Sequence, residues 1–155
     1  MSDSGVIEAG VHRIRLRVYY EDTDAAGVVY HAAYLEFAER ARTEMLRCLG
    51  LDHTGLRARL GLAFTVRRCA IEYRAPARLD DLLEIKTRLV RLGGASIDLE
   101  QRVLREAQLL TRLDVRLALL GTDLRVARLP RQLIGAFERL YPPAPERAAG
   151  ELGCA

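Results

Sequence analysis

Five segments of the chain have the length and composition of β-strands, and hydrophobic and polar residues alternate along the first and the fifth of them. In the first, residues 12–20, Ile14, Leu16 and Val18 alternate with three arginines, so one face of the strand is apolar and the other charged. The other four segments cover residues 62–73, 82–92, 97–105 and 109–120. The pattern therefore predicts five strands, the first of which is half-buried.

A longer period separates the first predicted strand from the second. Between residues 32 and 49 the apolar residues recur every three or four positions, which is typical of a helix with an apolar stripe. These residues are Tyr34, Phe37, Ala38, Ala41, Met45 and Leu49. Gly50 is the predicted end of this helix. Residues 51–61 are predicted to be a connector with a short helical turn, and a second, shorter helix is predicted for residues 131–141.

The order of these elements indicates the fold class. Turns such as GGAS at 93–96 and EAQ at 106–108 are short, and short turns join antiparallel neighbours, whereas parallel strands need long crossovers. We therefore predict an α+β protein with the hotdog fold, in which a five-stranded antiparallel sheet wraps around one long helix. Because an open sheet edge is hazardous unless it is paired, a homodimer with continuous sheets, or a homotetramer, is expected.

Residues 11–141 are expected to form one domain, flanked by a flexible N-terminus (1–10) and a flexible Pro/Ala/Gly tail (142–155). The N-terminus does not resemble a signal peptide, and the chain has no run of 18 apolar residues. A cytoplasmic protein without membrane insertion is expected. The three cysteines lack zinc-site spacing. The arginines are spread along the chain without interleaved aromatics, which does not favour binding of nucleic acid.

The candidate chemistry is concentrated in the stretch DTDAAGVVYH, residues 22–31. Gly27 allows a positive φ or a close approach to a ligand. Near His31 the helix begins, and its first N–H groups lack intrahelical partners and can stabilise an oxyanion. Asp24 can return across the loop to the same spot, where its carboxylate can attack a carbonyl or deprotonate a water. Acyl hydrolysis needs both kinds of group.

Other interpretations of the loop have to be weighed against this one. Asp is common in loops because its carboxylate accepts hydrogen bonds from nearby backbone N–H groups, and residue types alone favour that role for Asp22 and Asp24. A calcium loop does not fit, because its fifth and twelfth positions would be Ala26 and Ala33. A Ser–His–Asp hydrolase is not supported either, since the chain has no GxSxG motif.

Three segments resemble the YbgC-type acyl-CoA thioesterases, relatives of the 4-hydroxybenzoyl-CoA thioesterases. They read VYYEDTDAAGVVYHAAYLEFAERARTEML, FTVRRCAIEYRAPARLDDLLEI and LPRQLIGAF, and the likeness extends over residues 11–139. It implies a hotdog thioesterase that hydrolyses acyl-CoA without a metal or other cofactor, with CoA lying across the subunit interface. The group is associated with the Tol–Pal envelope system.

The resemblance also implies a role for individual residues. Asp24 would be the catalytic carboxylate, and His31 would polarise the thioester carbonyl through its backbone N–H. The substrate-binding set would comprise Gly27, Val29, Tyr30, Phe64, Val66 and Arg67. Asp22 is expected to bond to loop backbone, while Glu39 and Arg42 are expected to form a structural pair, because charges on a buried helix need partners.

Two questions stay open at this stage. Asp24 acts either as a nucleophile on the thioester carbon or as a general base on water. The acyl group is also open, although the absence of Trp and the few aromatics favour a short or medium aliphatic chain. The alternative functions are a non-catalytic hotdog module that binds acyl-CoA or acyl carrier protein, and a hotdog dehydratase.

Overall fold

An antiparallel sheet dominates the computed structural model, which describes residues 3–141. Its strands are β1 (Val6–Glu8), β2 (Val11–Arg17), β3 (Ala63–Tyr73), β4 (Leu82–Leu92), β5 (Ser96–Arg105), β6 (Gln108–Leu120) and β7 (Val126–Ala127). Their order is β1-β2-β4-β5-β6-β3, and β7 also pairs with β6. The α+β class and the hotdog arrangement are confirmed. The predicted count of five strands is wrong, because β1 and β7 are too short for alternation to reveal them.

Three helices complete the described part of the chain: α1 (Ala33–Cys48), α2 (His53–Leu60) and α3 (Arg131–Glu138). The helix α2 replaces the short turn predicted for residues 51–61. The Asp52 carboxylate caps it by accepting the Gly55 N–H at 2.5 Å, and Gly61 ends it with φ 63°, a conformation that suits glycine. None of these helices, within residues 3–141, is long and apolar enough to cross a membrane.

The core lies between α1 and the inner face of the sheet. Ile14 of β2 and Val18, which follows the strand directly, are buried, while Arg15 and Arg17 are exposed, as the alternation predicts. Phe37 of α1 is fully covered. Burial of each such side chain contributes about 1.5–3 kcal/mol, so the position of the helix over the sheet is firmly specified.

The long strand β3 forms one end of the sheet, where its one partner strand within residues 3–141 is β6. A β-bulge between Val66 and Arg68 leaves Arg67 outside the ladder. The residues of β3 are exposed or half-buried throughout. An open edge of this length invites pairing with another strand. At the opposite end of the sheet lies β1, in the N-terminal segment for which the sequence predicts no strand. The predicted flexible tail, residues 142–155, lies outside the described residues.

Candidate active site

A tight turn carries Asp24. Its N–H donates to the Val28 carbonyl at 2.9 Å, and the Gly27 N–H donates to the Asp24 carbonyl at 3.0 Å. The turn is thus a three-residue hairpin loop that ends in a left-handed residue, Gly27, with φ 78°. The exposed Asp24 carboxylate accepts the Ala26 N–H through Oδ1 at 2.8 Å. Oδ2 accepts no hydrogen bond from residues 3–141, and it therefore projects as a free carboxylate oxygen.

Asp22 has a different role in the same loop. It is buried, and its Oδ2 accepts the Tyr19 N–H at 2.8 Å. Its backbone carbonyl accepts the Tyr30 N–H at 2.8 Å. The Oδ2 atom and the backbone carbonyl oxygen of Asp22 thus both accept hydrogen bonds from the loop backbone. This confirms the prediction that Asp22 bonds to the loop backbone.

The returning arm of the hairpin is fastened to the segment that precedes β4. The Val29 N–H donates to the Ala77 carbonyl at 2.9 Å, and Val28 forms an antiparallel bridge with Arg78. The Ala77 N–H donates in turn to the hydroxyl of buried Tyr34 at 3.0 Å. Val29 is buried beneath this connection, so two distant parts of the chain hold the loop against α1.

The start of α1 presents free donors next to this loop. The N–H groups of His31 and Ala32 donate to no acceptor in the part of the chain that the structure describes, whereas the Ala33 N–H donates to the Tyr30 carbonyl at 2.9 Å. The His31 ring is exposed and lies 4.3 Å from the Tyr30 ring. The His31 carbonyl accepts a hydrogen bond from the Tyr73 hydroxyl at 2.7 Å. Free N–H groups at a helix start carry partial positive charge.

The hairpin places the carboxylate on the same loop as these donors. Tyr30 lies opposite Asp22, because the Tyr30 N–H bonds to the Asp22 carbonyl. Asp24 lies two residues further along the same arm, which corresponds to about 7 Å in an extended chain. The structure thus places Asp24, Gly27, Val29, Tyr30 and His31 on one hairpin that leads into α1.

Three of the predicted substrate residues lie elsewhere in the protomer. Phe64, Val66 and Arg67 are at the beginning of β3, while Tyr73, which contacts the helix start, ends the strand. Phe64 and Tyr73 are nine positions apart on an extended strand, a span of about 30 Å. The Phe64 ring packs instead near the rings of His53 and Phe137.

Val66 nevertheless lines a groove of 640 Å³ between α1 and the open edge strand β3. Leu35 and Glu39 contribute from α1, and Cys69 contributes from β3. The side chain of Val66 is 44% exposed. The groove is therefore an apolar recess with charged side chains, and it lies beside the edge of β3 that the described residues leave unpaired.

The pair Glu39–Arg42 is formed, as the sequence predicts. Sequence reasoning missed the rest of its network. Arg42 is buried and donates through Nη1 to Gln101 Oε1 at 2.8 Å, while Gln101 Nε2 donates to the Ala38 carbonyl and the Thr87 hydroxyl at 3.1 and 3.0 Å. The available signal was a polar residue, Gln101, at an inward-facing position of an alternating strand.

Tyr73 is the other residue that the sequence interpretation missed. Its ring packs edge-on against Tyr34, with centroids 5.6 Å apart. Burial, followed by the nearby Tyr34, raises the pKa of the Tyr73 hydroxyl, so this group remains a protonated donor at neutral pH. No local sequence signal reveals the contact with His31, because the two residues are 42 positions apart.

Comparison with known proteins provides an independent line of evidence. Residues 26–111 match the thioesterase superfamily. The chain is 44% identical over 126 residues to the acyl-CoA thioesterase YbgC of Haemophilus influenzae, covering 81% of this chain and 93% of that protein.

Solved structures agree with this similarity. A probable thioesterase from Bartonella henselae shares 44% identity at a TM-score of 0.76, covering 77% of this chain and 99% of that one. A hypothetical protein from Thermus thermophilus shares 34% identity at a TM-score of 0.78, with coverage of 83% and 98%.

Proposed function

This chain belongs to the thioesterase superfamily and, within it, to the YbgC acyl-CoA thioesterases, and from that membership we propose that it hydrolyses acyl-CoA to the free acid and CoA with Asp24 as the reacting carboxylate. One observation carries the assignment of the site. A free carboxylate oxygen of Asp24 lies on the hairpin that leads directly to the free N–H groups of His31 and Ala32. A thioester carbonyl placed between them meets a nucleophile or base on one side and hydrogen-bond donors on the other.

The reaction sets the spacing that these groups need. In direct attack the nucleophilic oxygen lies about 3–3.5 Å from the carbonyl carbon, the C=O bond adds about 1.2 Å, and the oxyanion lies about 3 Å from its donor nitrogen. The carboxylate and the donor are then at most about 7 Å apart in a productive complex. An intervening water adds about 3 Å.

Two routes use this arrangement. In the first, an Asp24 oxygen bonds to the acyl carbon, the C–S bond breaks, CoA leaves as the thiolate, and water then opens the mixed anhydride. In the second, Asp24 takes a proton from a water that attacks the acyl carbon. Single-turnover hydrolysis in water labelled with heavy oxygen separates the two routes. Label in the Asp24 carboxylate, detected by mass analysis of the protein, excludes pure general-base catalysis.

The decisive variant for the assignment is Asp24→Asn. Its amide oxygen can still accept the Ala26 N–H, so the turn and the fold are retained while the charge is lost. We expect thiol release to fall at least about a hundredfold, the scale of a general base. Asp123→Asn is the matched control, because Asp123 also closes an exposed turn by accepting the N–H two residues ahead, at 3.0 Å. Full activity in a folded Asp24→Asn protein would exclude the assignment.

The alternative is a non-catalytic module that binds acyl-CoA or acyl carrier protein. The observation that favours it is the hydrogen bond from Ala26 N–H to Asp24, since a carboxylate can serve a turn without any chemistry. The thiol-release assay discriminates between the functions, because a binding module releases no thiol. A dehydratase would leave the thioester intact and introduce a double bond.

The proposed active enzyme is a homodimer, or a homotetramer built from such dimers, in which the β3 edges pair. Two antiparallel β3 strands related by a two-fold axis place the start of one strand beside the end of the other. Phe64, Val66 and Arg67 of one protomer then lie near Tyr73 of its partner, which brings the separated substrate residues to the site. This arrangement also covers the groove between α1 and β3.

Light scattering after size-exclusion chromatography tests the assembly. Val66→Asp, which puts a charge beside the β3 edge, is expected to lower the oligomeric mass. Val126→Asp is the control, because Val126 is also exposed, at 56%, but lies on β7. A fully active wild-type monomer would exclude the dimer.

The proposed substrates are short or medium aliphatic acyl-CoA thioesters, with acyl-loaded carrier protein as a further partner. Values of kcat/KM over acetyl-, butyryl-, octanoyl-, palmitoyl- and benzoyl-CoA test this preference, and acyl carrier protein loaded with the best acyl group tests the partner. A maximum at palmitoyl- or benzoyl-CoA would refute the proposed range.

A further inference from the structure

The His31 carbonyl has an unusual partner for a residue at a helix start. In a regular α-helix it would accept the N–H of the residue four positions ahead, Leu35. The Leu35 N–H instead donates to the Ala32 carbonyl at 3.1 Å. The Tyr73 hydroxyl, on the last residue of β3, donates to the His31 carbonyl at 2.7 Å.

This bond also determines the direction of the next N–H group. A peptide unit is a rigid plane, in which the carbonyl oxygen and the following N–H point in opposite directions when the bond is trans. The described chain has no cis peptide bond. The hydroxyl that holds the His31 carbonyl therefore also holds the Ala32 N–H, turned away from Tyr73 and out of the helix start.

The neighbouring peptide unit is fixed in a similar way. The Tyr30 carbonyl accepts the Ala33 N–H at 2.9 Å, which sets the direction of the His31 N–H. The N–H groups of His31 and Ala32 are thus oriented by the hydrogen bonds that the carbonyls of the same peptide units accept. Neither N–H donates to an acceptor within residues 3–141. Paired donors of this kind are what a developing oxyanion requires.

We propose that Tyr73 is a positioning residue of the thioesterase site, which fixes the His31–Ala32 peptide so that the Ala32 N–H joins the His31 N–H as a second donor to the thioester oxygen. The inference rests on the proposed function. Tyr73 acts through the peptide, because its own hydroxyl proton is engaged by the His31 carbonyl. Its ring is held edge-on by Tyr34, whose hydroxyl is anchored by the Ala77 N–H.

The test is Tyr73→Phe, which keeps the ring against Tyr34 and removes only the hydroxyl. We expect kcat for acyl-CoA hydrolysis to fall about tenfold or more, with KM changed less than about twofold, since the hydroxyl does not touch the substrate. The pH profile of kcat should keep its shape, because the phenol transfers no proton. Tyr20→Phe is the control: Tyr20 is 85% exposed, and it is expected to retain full activity.

A second readout measures the polarisation itself. An unreactive acyl-CoA analogue with a methylene group in place of sulfur presents a ketone to the site, and hydrogen bonding lowers its carbonyl stretching frequency in the infrared. In Asp24→Asn protein this lowering should shrink when Tyr73→Phe is added, and it should persist when Tyr20→Phe is added.

Several outcomes would overturn the inference. An unchanged kcat would show that Tyr73 does not position the donors. A rise in KM alone would make Tyr73 a substrate contact, and loss of the alkaline limb of the pH profile would make it an acid. Asp24→Asn, assayed in parallel, separates the two proposals. If the Asp24→Asn protein is inactive and the Tyr73→Phe protein is fully active, only the positioning role of Tyr73 is excluded. Full activity of Asp24→Asn excludes the proposed function of Asp24.

Discussion

Replacement of Gln101 by Leu should destabilise the protein more than any surface substitution. Gln101 lies on β5 and is fully buried. Its Oε1 accepts a hydrogen bond from Arg42, and its Nε2 donates to the Ala38 carbonyl and to Thr87. Leu has a similar size and fills the space, so the substitution removes hydrogen bonds without leaving a large cavity.

The expected cost follows from the charge that is left behind. The Arg42 side chain is only 9% exposed, and after the substitution its remaining partner is Glu39, which is 53% exposed. Depriving a buried charge of a partner costs about 3–5 kcal/mol, and the surviving pair with Glu39 puts Arg42 at the low end of that range. We therefore expect the free energy of unfolding to fall by about 3 kcal/mol.

Urea unfolding, followed by far-UV circular dichroism, measures this change. All variants are compared at one protomer concentration, because assembly contributes to the apparent stability. Gln108→Leu is the matched control: Gln108 is exposed and accepts one hydrogen bond from Arg105, at 3.0 Å, and its loss should cost less than about 0.5 kcal/mol.

The double variant Arg42→Leu/Gln101→Leu isolates the interaction. Removing the charge as well should recover part of the loss, with a coupling energy of about 1–3 kcal/mol between the two sites. Glu39 is then left alone, but it is exposed enough to be solvated. A Gln101→Leu cost below about 1 kcal/mol, or strictly additive variants, would refute the reasoning that Gln101 stabilises a buried charge.

Three further predictions concern other parts of the molecule. Asp22→Ala deprives the Tyr19 N–H of its acceptor and should cost about 1–3 kcal/mol, seen as a fall in the thermal midpoint; an unchanged midpoint would contradict the role given to that carboxylate. Gly27→Ala meets no atom within 4 Å of the new Cβ, so only the positive φ resists it, and urea titration should show a loss of about 1–2 kcal/mol. The Arg88 guanidinium holds the pKa of Glu100 below its ordinary value of 4.5. The Glu100 carboxylate therefore stabilises the folded protein above pH 4.5, and this stabilisation is lost as the pH falls through the lower pKa of the folded state. Glu100→Gln should therefore flatten the acid limb of stability against pH, and an unaltered limb would contradict this account.

The strands and the long helix could be predicted from the sequence because their signals are local. Ile14 and Val18 alternate with arginines, and the apolar residues of α1 recur with helical spacing, so each face is decided by neighbours only a few residues away. The loop was equally visible. Asp24, Gly27 and His31 lie within eight residues of one another, so the sequence by itself shows that they share the loop before the helix.

The tertiary structure alone decided which distant segments complete the site. β3 pairs with β6 at the end of the sheet, and that topology brings Tyr73 to His31 while it carries Phe64 about 30 Å away. Nothing near Tyr73 in the chain encodes this, because hydrogen bonding between strands is decided by the packing of the whole sheet. The buried contact of Gln101 with Arg42 has the same origin, since polar groups in a core find partners wherever the fold places them.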